Sequence, residues 1–473
     1  MKRVLRSLSK QAGLRCRRLP GGPDLSFPVL LKIFDPWRAD VPMSPKSGRF
    51  FYGWWIVVAA TVAMLFSIPG QTMGFSVFTE ILMEELGLSR VALSAAYCIG
   101  TVGSGLTLPY MGTLYDRCGG RQLTVYSAIA TALVLFYLSG LGKIEATLNG
   151  MLPNGPSSVT GFLLIGLGFY LIRLSAQGVL TMSSRNMIGK WFDRRRGLAL
   201  AVSGVAVSFS FSAAPTFLDF LIESFGHEGA WAILGALTLV VMAPLAWVVF
   251  RDTPEQCGMV MDGEESGETE ERNPDMVIYR EYTRAEAVRT FTFWVYALSF
   301  SFFSCYSTAF TFHIVSIGDE FGFEKSDIIA LFVPMAVVSV VVSLFCGWVN
   351  SRTRLKWLLL GMNLGAVTGA LGLMTLDTPL GEAGYVIGNG VCGGAFMSLS
   401  GLVWPRFFGR KWLGSISGMN MSLVVIASGL GPLMFGLTKQ LTESYFLILL
   451  LSVAVPASLA LATFRANNPQ RSS

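Results

Sequence analysis

Apolar runs of about twenty residues alternate along this chain with short polar intervals, beginning at Trp54–Phe78 and ending at Phe446–Phe464. Twelve such runs fit between residues 52 and 464, each near the ~20 residues with which an α-helix crosses a bilayer. Backbone groups in hydrocarbon must bond within their own segment, so each run is predicted to be a helix. The longest hydrophilic interval, residues 251–289, follows the sixth run. The pattern therefore predicts an all-α membrane protein, with twelve transmembrane helices in two six-helix halves, residues 52–250 and 290–464. A basic tail (1–51), the linker (251–289) and a short C-tail (465–473) lie outside these helices. Within the linker, Tyr279–Glu286 is expected to form a short amphipathic helix at the membrane surface.

Hydrophobic residues make up 52% of the chain and charged residues only 14%, where a soluble domain is nearer a quarter charged. The charges are also unevenly placed. With the N-terminus in the cytoplasm, 31 of the 36 Lys and Arg fall on the cytoplasmic side, the bias that orients multi-pass proteins. Both termini and the linker are thus expected in the cytoplasm, and the chain in the plasma membrane. The net charge of +6 follows from this topology and requires no nucleic-acid partner. The seven Cys show no metal-ligand spacing and read as free thiols, so no metal site is expected. No Walker sequence is present, so neither ATP drive nor any cofactor is expected. Residues 1–51 lack the apolar core of a signal peptide. They read as a disordered cytoplasmic tail, a transit peptide or an upstream start ahead of Met43.

Arg173 is read as the lone Lys or Arg inside the apolar runs, at the middle of Val159–Met187. Its insertion costs roughly 2.5–3.5 kcal/mol, so it is expected to face a polar interior rather than lipid. Tyr170, Gln177, Thr181 and Ser184 recur at helical spacings and share its stripe. No Asp or Glu lies at comparable depth, which would leave a net positive cavity suited to an anion; the alternative is an Arg satisfied by backbone carbonyls between packed helices. In the first run Pro69 and Gly70 interrupt the helix, either to line a cavity or as a packing kink. Gln71 shares a face there with Ser67. Tyr97, Tyr306, Asn389 and Asn420 are further candidates for a polar substrate-binding wall, although such side chains also bond between packed helices. His313, near the outer end of the seventh run, is a candidate pH sensor or a solvated interfacial residue.

Two loops repeat. Gly112-Thr-Leu-Tyr-Asp116-Arg117-Cys-Gly119-Gly120-Arg121 follows the second run, and Gly347-Trp-Val-Asn-Ser351-Arg352 follows the eighth. Parallel halves of this kind mark transporters that hold their substrate near the membrane midplane. Twelve runs, the six-plus-six division and Gly112–Arg121 resemble the major facilitator superfamily and its signature Gly-x-x-x-Asp-Arg/Lys-x-Gly-x-Arg/Lys. The resemblance covers about residues 52–465 and implies the major facilitator fold. Gly112, Asp116, Arg117, Gly119, Arg121 and Arg352 are then candidates for a conformational clasp. Gly112 would permit close helix approach, and Asp116 would accept hydrogen bonds from an Arg or a helix N-terminus across the seam between the halves. Tyr52-Gly-Trp-Trp, Lys190–Ala199, Arg251–Gly258 and Gly429–Pro432 resemble the oxalate/formate antiporter and monocarboxylate transporter branch. Members of that branch often carry a basic residue in span eight or eleven as the carboxylate partner. Ile328–Val349 and Ile416–Leu437 contain none.

The function expected is secondary active transport of a small organic anion, monocarboxylate or dicarboxylate-like, by alternating access. Its partners are the lipid bilayer and the anionic solute, with a coupled proton or a counter-anion both left open. The alternative is an exporter of amphipathic compounds in the same superfamily, favoured by the aromatic spans and disfavoured by the missing buried acid. An enzyme is not expected, because no nucleophile–base pair or metal cluster is apparent. A channel would need no clasp.

Overall fold

A computed structural model describes residues 51–151, 157–263 and 277–471. Residues 1–50 of the basic tail and linker residues 264–276, with the acidic residues from Glu264 to Glu271, lie outside the described residues. All regular elements among the described residues are helices or helical turns.

Among the described residues ten helices are long and apolar enough to cross a membrane, and twelve crossings follow from where the chain turns. Helix Arg196–Leu237 contains Gly226 at φ 71°, a left-handed conformation that glycine adopts without strain. On either side of it the chain runs in opposite directions. Arg196 lies beside Asp193, His227 bonds Glu85 at the other end of the bundle, and Val249 returns to meet Tyr52. Arg196–Val249 is therefore spans five and six. Span one is the remaining crossing, and it is not one continuous helix but is broken into Gly53–Leu65, a 3₁₀ turn Ile68–Gly70, Thr72–Ser76 and Thr79–Glu85. The others are Arg90–Cys118 (span two), Gly120–Ser139 (three), Ser157–Trp191 (four), Phe291–Glu320 (seven), Lys325–Val349 (eight), Leu355–Met374 (nine), Pro379–Phe408 (ten), Leu413–Thr442 (eleven) and Phe446–Thr463 (twelve). Span four is not uniform. Residues Arg173–Leu180 form a π-helical stretch between two α-helices, a feature that often accompanies functional sites.

The loops after spans two, four, six, eight and ten share one end of the bundle with the start of span one and residues 465–471. This terminal end is tied together by bonds such as Trp191 Nε1 to Arg251 O at 2.8 Å, Arg406 Nη1 to Asn350 O at 2.8 Å and Gln470 Nε2 to Arg280 O at 2.8 Å. The expected surface helix over Tyr279–Glu286 is reduced to the single turn Arg284–Ala287. The backbone before it is spent elsewhere: the amides of Tyr279 and Arg280 donate to Gln470, and that of Tyr282 to Phe408 O. The turn begins with a capping box in which Thr283 and Glu286 satisfy each other's amides, the usual device for starting a helix.

The two halves meet along spans two and eleven and along spans five and eight. Small residues make both approaches. A Cβ on Gly112 would lie 2.2 Å from Gly414 O, and one on Gly197 would lie 2.5 Å from Gly347 O. The repeat noted in the sequence thus places its glycines on the two seams.

Candidate functional site

A cavity of about 560 Å³ lies between the halves. At the end away from the termini it reaches the exposed pair Glu80–Arg90, whose charges compensate at 2.6 Å. Deeper, its polar wall includes Gln71, Thr72, Gln177, Thr181, Arg185 and Ser428, with Ser304, Ser307 and Thr308 of span seven. Its apolar wall includes Met64, Phe303, Phe396 and Val424. Membrane-spanning bundles place such sites between helices of their two repeats.

The break in span one builds one side. Pro69 removes an amide donor, the helix gives way to a 3₁₀ turn, and Gln71 becomes extended at ψ 155°. Backbone carbonyls are thereby freed. Gly70 lets this segment press on span four, where an added Cβ would meet Ile172 O at 2.7 Å. Arg173 uses the freed group: its Nη1 donates to Gly70 O at 3.2 Å and to Thr72 Oγ1 at 3.4 Å. Its Nη2 donates to Ser428 Oγ at 2.8 Å, across the seam on span eleven, and the guanidinium lies 5.1 Å from the centre of the Tyr97 ring. Tyr97 in turn bonds Thr72 at 2.8 Å.

Arg173 is 1% exposed and sits behind the cavity wall. The even stripe expected from α-helical spacing is disrupted by the π-helical turn, whose wider i→i+5 bonding changes the facing of successive residues. Gln177 and Thr181 reach the cavity, Ser184 bonds Leu180 O and is fully buried, and Tyr170 bonds Thr107. Of the expected wall residues, Gln71 and Gln177 line the cavity. Arg173 and Tyr97 form the layer behind it. Tyr306, Asn389 and Asn420 are 2%, 5% and 6% exposed and are not among the lining side chains in this conformation.

Two basic residues correct the reading of Arg173 as the lone one in the runs: Lys356, in the first turn of span nine, and Arg185. Arg185 lies near the terminal end of span four, inside Val159–Met187, and faces the cavity floor. Its Nη1 donates to Ser400 Oγ on span ten at 3.0 Å, and its guanidinium lies 5.6 Å from the centre of the Phe396 ring. Among the described residues neither Arg173 nor Arg185 has a carboxylate partner. The sequence signal for Arg185 is its place in an apolar run, obscured by its closeness to the basic loop that begins at Lys190. Assigning it to span four leaves the charge asymmetry intact.

Below the cavity the terminal end is closed. Asp116 accepts the amides of Gly414 and Ser415, both at 2.7 Å, at the N-terminus of span eleven. Asn186 donates to Ser417 at 2.7 Å. Arg410 donates to Lys190 O and to Glu255, both at 2.9 Å. Gly112 joins Asp116 on the seam against Gly414, whereas Arg121 and Gly119 make their contacts away from it. Arg121 donates to Trp247 O at 2.8 Å and stacks on that ring, while its amide donates to Asp252 at 2.8 Å. Gly119, at φ 94°, lies so close to Asp252 that a Cβ would approach its carboxylate to 2.2 Å. Arg117 is exposed. Arg352 is also exposed and lies over Trp348, and Ser351 replaces the acid in the second copy. His313 bonds Pro432 O at 3.0 Å and the Tyr445 hydroxyl at 3.1 Å, away from the cavity lining.

Comparison with known proteins fits this architecture. Over 213 residues the chain is 24% identical to mouse monocarboxylate transporter 14, covering 43% of this chain and 38% of that one. Over 212 residues it is 31% identical to mouse monocarboxylate transporter 11, covering 42% and 40%. An uncharacterized MFS-type transporter of Escherichia coli, YhjX, is 24% identical over 249 residues, covering 52% and 53%. The matched stretches thus span about two fifths to half of these relatives. A bacterial homologue of the iron transporter ferroportin, solved in an outward-facing state, superimposes with TM-score 0.63 at 13% identity, over 87% of this chain and 99% of that one. The proton:xylose symporter XylE does so with TM-score 0.61 at 15% identity, over 89% and 98%. These likenesses are of fold. The Major Facilitator Superfamily description matches residues 46–432, most of the chain and both repeated loops, and the chain belongs to that superfamily.

Proposed function

We propose that this transporter moves a small organic anion, a monocarboxylate or dicarboxylate-like solute, by alternating access, with its terminal end in the cytoplasm. The observation that carries this reading is a cavity with Arg185 in its floor and Arg173 behind its wall, neither offset by a carboxylate among the described residues. Two uncompensated guanidinium groups in a low-dielectric setting give a positive site, and guanidinium suits the planar, bidentate geometry of a carboxylate. Gln71, Gln177 and Thr181 supply neutral polar contacts, while Arg173 and Tyr97 contribute from the second layer. Tyr306, Asn389 and Asn420 are assigned no contact with the anion in this conformation. The monocarboxylate transporters among the relatives agree with this substrate class; the fold itself selects no substrate, since its structural neighbours include a sugar symporter and a ferroportin homologue.

In the described conformation the cavity is open away from the termini, and the Asp116, Asn186 and Arg410 contacts close the other end. Transport requires these contacts to break as the opposite mouth closes. The cytoplasmic placement of the terminal end rests on its Lys and Arg excess. The test is counterflow in proteoliposomes. Vesicles loaded with unlabelled pyruvate or oxalate are expected to accumulate the labelled acid from dilute solution. Accumulation of amphipathic cations or neutral compounds, with no carboxylate exchange, would favour the exporter reading instead.

A further inference from the structure

We propose that Arg185 is the residue that anchors the anion, and that the anion does so by displacing the bond through which Arg185 ties the two halves together. This rests on the anion reading above and adds the contact residue and its coupling to the transport cycle.

The two buried cations differ in availability. Arg173 donates to three acceptors, is 1% exposed, and keeps its Nε sealed from solvent without a partner. A ligand could reach it only after Thr72 and Ser428 moved. Arg185 lies in the cavity lining and makes one oxygen bond, to Ser400 Oγ at 3.0 Å, with a long contact to Met397 Sδ at 3.9 Å. A guanidinium has five N–H donors, so most of its capacity is left unspent on protein oxygens. The rim pair Glu80–Arg90 is already compensated. Arg185 is thus the uncompensated cation that a solute meets on the cavity surface.

The surroundings shape the solute. The Phe396 ring carries one face of the guanidinium, and Phe303 packs on Phe396 with ring centres 4.6 Å apart. An anion seated on Arg185 would lay an apolar or aromatic body against these two rings.

The position of Arg185 also gives the contact a mechanical consequence. Arg185 belongs to span four and Ser400 to span ten, so their bond crosses the seam just above the closing contact Asn186–Ser417 at 2.7 Å. A carboxylate taking two parallel bonds from Arg185 is a stronger acceptor than a serine hydroxyl. It competes for the same donor and loosens the tie from span four to span ten. The empty carrier keeps the tie and the loaded carrier loses it, so loading favours opening of the terminal end. A ligand shifts such an equilibrium only through its different interaction with the two states, and here that difference is the exchanged bond.

The test measures binding of phenylacetate and its uncharged isostere phenylacetamide to the purified full-length protein, by calorimetry, with efflux measured from proteoliposomes. The wild type is expected to prefer phenylacetate. Arg185→Gln should weaken phenylacetate about 10- to 100-fold, the range of a hydrogen bond to a charged group, and leave phenylacetamide nearly unchanged. Arg185→Lys should fall between them, because it keeps the charge without the paired donors. Ser400→Ala removes the competing acceptor and should tighten phenylacetate about fivefold, while speeding net efflux into anion-free buffer. If Arg185→Gln discriminates as the wild type does, or if Ser400→Ala weakens phenylacetate binding, the Arg185 assignment is overturned and the anion reading survives. If the wild type itself binds both probes equally, and counterflow of carboxylates is absent, the anion reading falls first.

Discussion

Replacing Asp116 by Asn tests whether the terminal end is held shut by a charge on a helix N-terminus. The carboxylate accepts two amides, from Gly414 and Ser415, each at 2.7 Å. Hydrogen bonds to a charged group are worth about 1.5–3 kcal/mol each, and a helix N-terminus adds a few tenths to 1 kcal/mol for a nearby anion. Asparagine keeps one acceptor oxygen and turns an amino group toward the second amide, leaving donor against donor. The expected loss is about 3 kcal/mol of preference for the closed terminal end, roughly a 100-fold shift in the conformational equilibrium. The pair distance across the seam reports it directly. Spin labels at exposed Arg117 and Lys411, in a protein whose seven native cysteines have been replaced, should show a longer, broader distribution with Asn at position 116. Anion affinity in the conformation open away from the termini should change little, since Asp116 does not line the cavity. An unchanged distance distribution would refute the clasp.

Gly414→Ala should prevent closure by steric means, because a Cβ there would lie 2.5 Å from Gly112 O and 2.6 Å from the Tyr115 ring; spin-label distances like those of Asp116→Asn, with slowed counterflow, are the expected readout. Arg173→Gln removes the second-layer charge and its ties to Gly70 and Ser428; carboxylate counterflow should be abolished while membrane expression persists, and normal transport would reduce Arg173 to a packing residue. Arg410→Ala breaks the bonds to Lys190 O and Glu255; its effect on terminal-end closure should be smaller than that of Asp116→Asn, because the Glu255 partner is half exposed and exposed ion pairs contribute about 0–1 kcal/mol. Reporter fusions after Arg465 should report a cytoplasmic C-terminus, and an external one would overturn the topology.

The sequence by itself determined the membrane class, the two halves and the superfamily. Each rests on information local in the chain: the length of an apolar run, the interval after the sixth run, and the spacing from Gly112 to Arg121. A crossing must satisfy its own backbone in lipid, so its signature is confined to some twenty consecutive residues and survives without knowledge of neighbours. The site was less legible, because facing is not local. The stripe from Tyr170 to Ser184 assumed a uniform α-helix, and the π-helical turn at Arg173–Leu180 breaks that periodicity. Arg173 consequently turns to the carbonyl freed by the Pro69–Gly70 break, a partner 103 positions away. Arg185 was masked by its closeness to a basic loop, and only the packing of spans four and ten shows that it faces a cavity and meets Ser400. The signature loop indicated an acceptor at Asp116, but its donors come from 298 and 299 positions further on. Tertiary structure decided these pairings because burial of a charge is settled by which distant groups can satisfy it, and no periodicity along the chain records that.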